Sequence, residues 1–446
     1  MLLYILGVAV VVVGLALSIG LHEIGHLLPA KLFGVKVAQY MIGFGPTLWS
    51  RTFGETEYGL KAVPMGGYIS MAGMYPPAKD GSAPERYSST GFFQTLVQDA
   101  RTASAQTVTV GEEERVFYKL AVWKRIVIML GGPTMNLLIG IVLYAVLLMG
   151  FGAQQVSTTV GSVSECVVSQ TTSSTTGGDA DTCAADAAPA PGAAAGLLPG
   201  DKLVTLDGTA ITSWNQATDI IRDAAGDDLT MVVERDGKRV TLTSVPLLTE
   251  RYVYDGNGEV VKDSAGDSVT EKVGFLGIGP AYETVQQPVT AVLPAVGDNI
   301  GRVAHMILNL PERLVDVVNA AFGTEARDPN GPISVVGVGR LAGEISSIDT
   351  IPVVDKVSGL IGLLASLNIA LFVFNLVPLM PLDGGHVAGA LWEGIRRFFA
   401  KLFGRRDPGP VDIAKLVPLT LVVVVLLGGM SALLIYADLV KPISIL

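Results

Sequence analysis

The sequence predicts a polytopic α-helical membrane protein, with four transmembrane helices and one extracytoplasmic α/β module, on three observations. Charged residues are only 16% of the 446-residue chain and the mean hydropathy is +0.49, where a soluble domain carries about 25% charge. Four long charge-free apolar runs, Leu2–Leu21, Ile126–Gly152, Val357–Leu382 and Leu416–Ala437, are each long enough to cross a hydrocarbon core of about 30 Å. Finally, Lys and Arg cluster in the connections after the first and third runs, while the long stretch between the second and third is acidic.

The charge pattern sets the orientation. Residues 28–125 hold 11 Lys/Arg, and the connection after the third run holds Arg396, Arg397, Lys401, Arg405, Arg406 and Lys415. Residues 151–350 carry 12 Lys/Arg against 26 Asp/Glu, a net of −14. The positive-inside rule places the first and third connections in the cytoplasm and the acidic middle outside, with both termini extracytoplasmic. A cleaved signal peptide is the competing reading of the first run, but no Lys or Arg precedes it and no clear small-x-small site follows. Cys166 and Cys183, the chain's two cysteines, both fall in the external segment, where a disulfide is the expected state. Two free thiols are the alternative.

The expected order along the chain is as follows. A first transmembrane helix over 1–30 precedes a segment, 31–75, of apolar and aromatic residues broken by Gly and Pro. Such a composition reads as short β segments with tight turns, which survive at membrane depth only where protein or a water-filled cavity satisfies the backbone. A polar cytoplasmic loop (76–123) and a second transmembrane helix (124–152) follow. The external module covers 153–281, with a low-complexity, cysteine-containing insertion at 164–194. Within it, Val156–Val163 reads as a strand, Ile211–Ala225 as a helix and Leu229–Val245 as a hairpin about Asp236-Gly237. An amphipathic, membrane-associated connector (282–354) leads to a third transmembrane helix (355–394), a basic cytoplasmic loop (395–415) and a fourth transmembrane helix (416–446).

Chemistry concentrates in His22-Glu23-Ile24-Gly25-His26. Histidines four apart on a helix project from one face. At that spacing two imidazoles suit a tetrahedral Zn²⁺, with Glu23 placed as general base toward a water made acidic by the metal. Two satisfied helical histidines are the bland alternative, which leaves an ionisable Glu23 within a span unexplained. A catalytic zinc needs a third protein ligand, for which His305, His386 and an intramembrane carboxylate compete. The third run ends Asn375-Leu-Val-Pro378-Leu-Met-Pro381-Leu-Asp383-Gly-Gly-His386. Its prolines and glycine pair break the helix, and Asp383, the carboxylate of that stretch, is preferred, with His386 left as the second choice.

The pairing of His22–His26 with Asn375-x-x-Pro378-x-x-Pro381-Leu-Asp383-Gly384 resembles the site-2 protease family of intramembrane zinc metalloproteases. Gly131-Gly-Pro-Thr-Met-Asn136 is similar to that family's GPxxN element, and Tyr40–Ile69 to its membrane re-entrant β-hairpin, with Gly66-Gly67-Tyr68 as the signature turn. Gly196-Leu-Leu-Pro-Gly-Asp201 resembles the loop of the family's PDZ domain, and Gly331-Pro-Ile-Ser334 recurs in the sigma-factor-regulating branch. One PDZ-like domain is visible, as in the single-PDZ branch, and the insertion interrupts it just before its loop.

The resemblance implies zinc on His22, His26 and Asp383, Glu23 as base and then proton donor, and Asn375, Asn136, Gly66, Gly67 and Tyr68 near the substrate. It further implies a re-entrant hairpin that stabilises an unwound substrate by β-addition, and a PDZ that filters or regulates. Expected partners are the lipid bilayer and single-span membrane substrates such as pre-cleaved anti-sigma factors, with no nucleic acid. The expected location is the cell membrane, with the site toward the cytoplasm. A membrane-anchored PDZ adaptor with a non-catalytic zinc site is the alternative from another class; the intact His22, Glu23, His26 and Asp383 weigh against it. A transporter with a substrate site in the broken span is the third, and no inverted repeat is visible.

Overall fold

The computed structural model describes residues 1–77, 92–108, 111–167, 189–253, 260–261, 268–323, 327–328 and 331–443. They divide into two units, one formed by Met1–Phe151 with Gln287–Leu446 and the other by Gly152–Gln286. Four helical stretches, Leu2–Leu32, Val122–Phe151, Val353–Asn375 and Ile413–Val440, are long and apolar enough to cross a membrane. With the apolar surface they expose, they make this a multi-pass membrane protein.

Helix α1 (Leu2–Leu32) is followed by β1 (Val37–Phe53) and β2 (Thr56–Met71). The two strands form a hairpin that doubles back on itself. Tyr40, Met41 and Ile42 face Ile69, Tyr68 and Gly67 on one side and Tyr58, Gly59 and Leu60 on the other. The hairpin closes at Gly54, φ +63°, so Gly66-Gly67-Tyr68 is not a turn. It lies inside β2, where Gly66 takes φ +119° and a side chain on it would run into the Phe44 ring. The base of the hairpin is pinned to α1, since Tyr40 Oη donates to the Gly20 carbonyl at 2.7 Å and Val37, Tyr40 and Met71 pack with Leu27, Ala30, Ile128 and Met129.

Where a polar loop was expected, α2 (Phe92–Gln106) forms, held by a hydrogen bond from Tyr75 N to Ser104 Oγ (2.9 Å) and an Arg101–Asp412 ion pair. Helix α3 (Val122–Ala145) runs on through a π-helical turn, Val146–Phe151.

The second unit is built on a six-stranded sheet. Its strands are β3 (Ala153–Val163), β4 (Lys202–Leu206), β5 (Thr209–Ala210), β6 (Leu229–Arg235), β7 (Lys238–Ser244) and β10 (Ile278–Val285). They run β10-β3-β4-β6-β7, with β5 on β4. A separate hairpin pairs β8 (Leu247–Tyr252) with β9 (Thr270–Phe275). Besides the short α4 (Pro191–Ala194), the unit holds α5 (Trp214–Asp223), whose Ser213 N-cap accepts from Gln216 N. The helix buries Ala217 and Ile221 against Val160, Leu203, Leu206, Met231 and Leu276. Cys166 is disulfide-bonded; Cys183, the other cysteine, lies outside the described residues.

The chain then forms α6 (Val292–Leu308), α7 (Leu310–Phe322), α8 (Val335–Ser347), α9 (Val353–Asn375), α10 (Asp383–Leu402) and α11 (Val417–Val440). Helix α8 does not behave as a surface-lying piece. Its Gly343 rests on the Tyr4 ring of α1 and its fully buried Ala342 packs with Val11, because small residues let two backbones approach. Asp438 of α11 accepts from Ser334 N at 2.7 Å and pairs with Arg327, tying α11 to the start of α8. Helix α9 stops at Asn375, ahead of Pro378 and Pro381, and α10 opens at Asp383. Arg396, Arg397 and Lys401 are therefore helical rather than part of a loop. Beyond the break, Glu393 of α10, fully buried, pairs with Arg125 of α3 and accepts from Val411 N at 2.9 Å.

In the second unit Arg235 grips Asp201 through a forked pair, Nε–Oδ1 and Nη2–Oδ2 both 2.7 Å. That guanidinium holds the Asp201 carboxyl below the usual aspartate range. Folding therefore favours the ionised form. Its stabilisation is present above the unfolded-state value of about 3.9 and is lost as pH falls through the lower folded-state value. Asp201→Asn is expected to lower the thermal stability of this unit at neutral pH and to flatten its acid titration below about pH 4, read by far-UV circular dichroism.

Candidate metal centre

His22 and His26 lie one turn apart on α1, and Asp383 is the first residue of α10. Their ligand atoms meet. His22 Nε2 and His26 Nε2 are 3.2 Å apart, and Asp383 Oδ2 stands 3.4 Å from the first and 3.3 Å from the second. Zinc bonds of about 2.0–2.2 Å in a tetrahedron require ligand atoms about 3.3–3.6 Å apart, so the spacing fits that ion. Asp383 Oδ2 is moreover buried without a hydrogen-bond donor, as suits a carboxylate oxygen reserved for a cation.

Helix α3 supplies the floor. A Cβ on Gly132 would collide with His26 Nε2 and lie 2.7 Å from His22 Nε2, while Gly25 and Gly131 meet backbone to backbone. His26 Nδ1–H donates to the Ile128 carbonyl at 2.7 Å, which leaves Nε2 as the lone-pair nitrogen. Asn136 Nδ2 stands 3.2 Å from His22 Nδ1, and its Oδ1 is buried and unpartnered. Turning that amide over presents Oδ1 to an Nδ1–H of His22, the tautomer a ligating Nε2 needs.

Glu23 is buried beside the pair. The backbone of β2 passes close to it, for a Cβ on Gly67 would be 2.9 Å from Glu23 Cγ and 3.2 Å from Oε1. One turn before His22, Ser18 accepts from Asn368 Nδ2 of α9 at 3.0 Å, which fastens α1 to α9. The connection 376–382 folds back over the first turn of α10. There a Cβ on Gly385 would lie 2.7 Å from Met380 N, so the glycine pair is required by the close approach.

Of the residues singled out in sequence, the structure gathers His22, His26, Asp383, Glu23, Asn136 and Gly67 in one place. Gly66 and Tyr68 flank Gly67 in β2, with Tyr68 Oη donating to Gln39 at 3.3 Å, and Asn375 closes α9, half-buried. His386 sits one turn after Asp383, outside the three-ligand cluster, and His305 on α6 hydrogen-bonds Asn309. Sequence reasoning missed the Ile128 carbonyl, Ser18 and Asn368. Only Asn368 carried a signal, as an amide within an apolar span.

A His-His-Asp cluster with an adjacent buried glutamate, in a protein with four apolar helices, defines a membrane zinc metalloprotease. The comparisons agree. The model for peptidase family M50 matches residues 10–405, and the chain belongs to that family, the site-2 proteases. It is 32% identical over 454 residues, all of both chains, to "Zinc metalloprotease Rip1" of Mycobacterium tuberculosis. The same-named protein of Mycolicibacterium smegmatis is 33% identical, covering 98% of this chain and 99% of that one. "Metalloprotease MmpA" of Caulobacter vibrioides is 28% identical, covering 86% of this chain and 85% of its own.

Two substitutions test the construction of the site. Gly132→Ala is expected to push the imidazoles apart and lower the zinc content of the purified protein, measured by mass spectrometry of the metal. Asn136→Leu is expected to weaken zinc binding by about 10–100-fold, measured by competition with a chelator.

Proposed function

We propose that the protein hydrolyses peptide bonds in or beside the transmembrane segment of single-span membrane proteins, with His22, His26 and Asp383 holding the zinc. The observation that carries this reading is the position of the ligands. Two come from the C-terminal half of one apolar helix and the third from the break between two others, so a water-soluble loop is a poor match for the site.

Zinc, when bound, supplies a Lewis acid that polarises water and the scissile carbonyl. Glu23 takes the proton from the attacking water and returns it to the leaving amide nitrogen. Its side chain lies buried against Gly67 of β2. Asn136 and the Ile128 carbonyl hold the two imidazoles in one orientation. Asn375, at the break that presents Asp383, orients the substrate near the scissile bond.

The β1–β2 hairpin is read as re-entrant. Phe44, Leu48, Trp49, Phe53, Leu60 and Val63 on it are exposed, and exposed apolar groups at that density suit lipid. An unwound substrate strand can add to β2 next to Glu23. The second unit is read as an extracytoplasmic PDZ-like domain that filters or regulates substrates. Between α5 and β9 it has a cavity of about 270 Å³ lined by Trp214, Ile221, Phe275 and Ile278, large enough for an apolar side chain. Pre-cleaved anti-sigma factors are the proposed substrates, both termini are extracytoplasmic and the site lies toward the cytoplasm.

Glu23→Gln is expected to keep its zinc and lose about 10²–10⁴-fold in cleavage of a single-span substrate in proteoliposomes, while Asp383→Ala loses the zinc as well. Cleavage by Glu23→Gln at the parent rate would remove Glu23 from the mechanism. Product termini mapped by mass spectrometry are expected within the substrate's apolar segment, and termini confined to its soluble loops would overturn the intramembrane reading.

A further inference from the structure

Helix α10 begins at Asp383 and ends at Leu402, where Gly404, at φ +63°, terminates it. Its inner side buries Gly385, Ala390 and Glu393. On the outer side Leu391, Trp392, Ile395, Phe398, Phe399 and Leu402 are all exposed. At 3.6 residues per turn these side chains cover a continuous arc of about 120°. Cations border the arc. Arg396 flanks one edge, Lys401 flanks the other, and Arg405 and Arg406 follow directly. None of these four forms an ion pair among the described residues, in contrast to Arg397, which pairs with Glu393.

The helix cannot be a fifth span. It is not among the helices apolar enough to cross a membrane, and it connects α9 to α11, two consecutive spans whose connection must stay on one side of the bilayer. A long helix with an aromatic and aliphatic face fringed by unpaired Arg and Lys matches a helix lying in the headgroup region. The cationic fringe is complementary to negative phosphate headgroups, each Lys or Arg near such a surface adding about fivefold to its attraction.

We propose that α10 is a binding surface for anionic phospholipid, and that its occupancy steadies Asp383 at the other end of the same helix. The second half rests on Asp383 being a zinc ligand. Glu393 provides the fulcrum, since its ties to Arg125 and to Val411 N clamp the middle of α10 to α3 and to the chain that leads into α11. Headgroups holding Arg396, Lys401, Arg405 and Arg406 fix the far end of a lever whose near end carries the carboxylate. Asp383 would then be steadied by contacts at the middle and at the far end of the helix that it opens. Acidic lipid raises turnover through a group that touches neither substrate nor metal.

The test uses the full chain in nanodiscs of phosphatidylcholine or phosphatidylglycerol, and a variant carrying R396Q, K401Q, R405Q and R406Q together. By native mass spectrometry the parent is expected to retain phosphatidylglycerol in preference to phosphatidylcholine, and the variant to lose at least about tenfold of that preference. Lys415→Gln, on the same connection outside the helix, is expected to leave it unchanged. In cleavage of a single-span substrate the parent is expected to be faster in phosphatidylglycerol, while the variant works at the parent's phosphatidylcholine rate in both lipids with equal zinc content. Glycerol 1-phosphate added to phosphatidylcholine discs is expected to have no effect. The lipid site is overturned if the variant keeps the parent's preference, if Lys415→Gln loses it to the same degree, or if glycerol 1-phosphate substitutes for the lipid. Equal parent rates in the two lipids, with the binding preference intact, overturn the coupling to Asp383. Absence of cleavage in every lipid counts against the proposed peptidase reading, and lipid retention still decides the site.

Discussion

The close crossing of α1 and α3 at Gly25 and Gly131-Gly132 is the constraint on which the metal centre depends. A Cβ on either helix at this point would strike the other's backbone, and one on Gly132 would strike the imidazoles. Only with the two axes this close does the Ile128 carbonyl reach His26 Nδ1 and the Asn136 amide reach His22 Nδ1. Within a bilayer, small residues are what permit such an approach, because lipid provides no hydrophobic drive between helices.

The third ligand arrives by a different device. Helix α9 is abandoned at Asn375, seven residues of connection follow, and α10 starts on Asp383 itself. A carboxylate at a helix start is free of the i−4 neighbour that would otherwise restrict it, and the Gly384-Gly385 pair lets the connection lie against the first turn. The break is compensated farther along, where the buried Arg125–Glu393 pair rejoins α10 to α3. Burying two charges is costly unless both stay paired and hydrogen-bonded, and the extra bond from Val411 N meets that demand. The same logic recurs at Asp438, shared by Arg327 and Ser334 N. These paired charges hold helices in register where apolar packing alone leaves sliding cheap.

The surface that faces outward is arranged by charge rather than by shape. Acidic residues dominate the stretch that folds as the second unit, and basic ones the connection that holds α10. On α10 the basic residues border an exposed aromatic stripe.

Much of this was legible along the chain. Four spans follow from hydropathy because each one must satisfy its backbone internally. The His22–His26 spacing follows from a period of 3.6, and the helix break follows from Pro378 and Pro381. Hairpin β6–β7 follows from Asp236-Gly237. What sequence spacing could not supply was anything that depended on two distant segments meeting. The fold-back of β1 and β2, which puts Gly67 against Glu23 and moves Gly66-Gly67-Tyr68 from a turn into a strand, is a matter of pairing between residues on three stretches. The helices α2 and α10 were hidden because their polar residues look like loop until Asp412 and Arg125 are seen opposite Arg101 and Glu393. For His22, Glu23 and His26 the sequence alone determined which groups share a face, since local helical geometry orders them. Their meeting with Asp383, 357 positions beyond His26, was decided only by the tertiary structure, because contact between helices is set by packing volume and not by spacing along the chain.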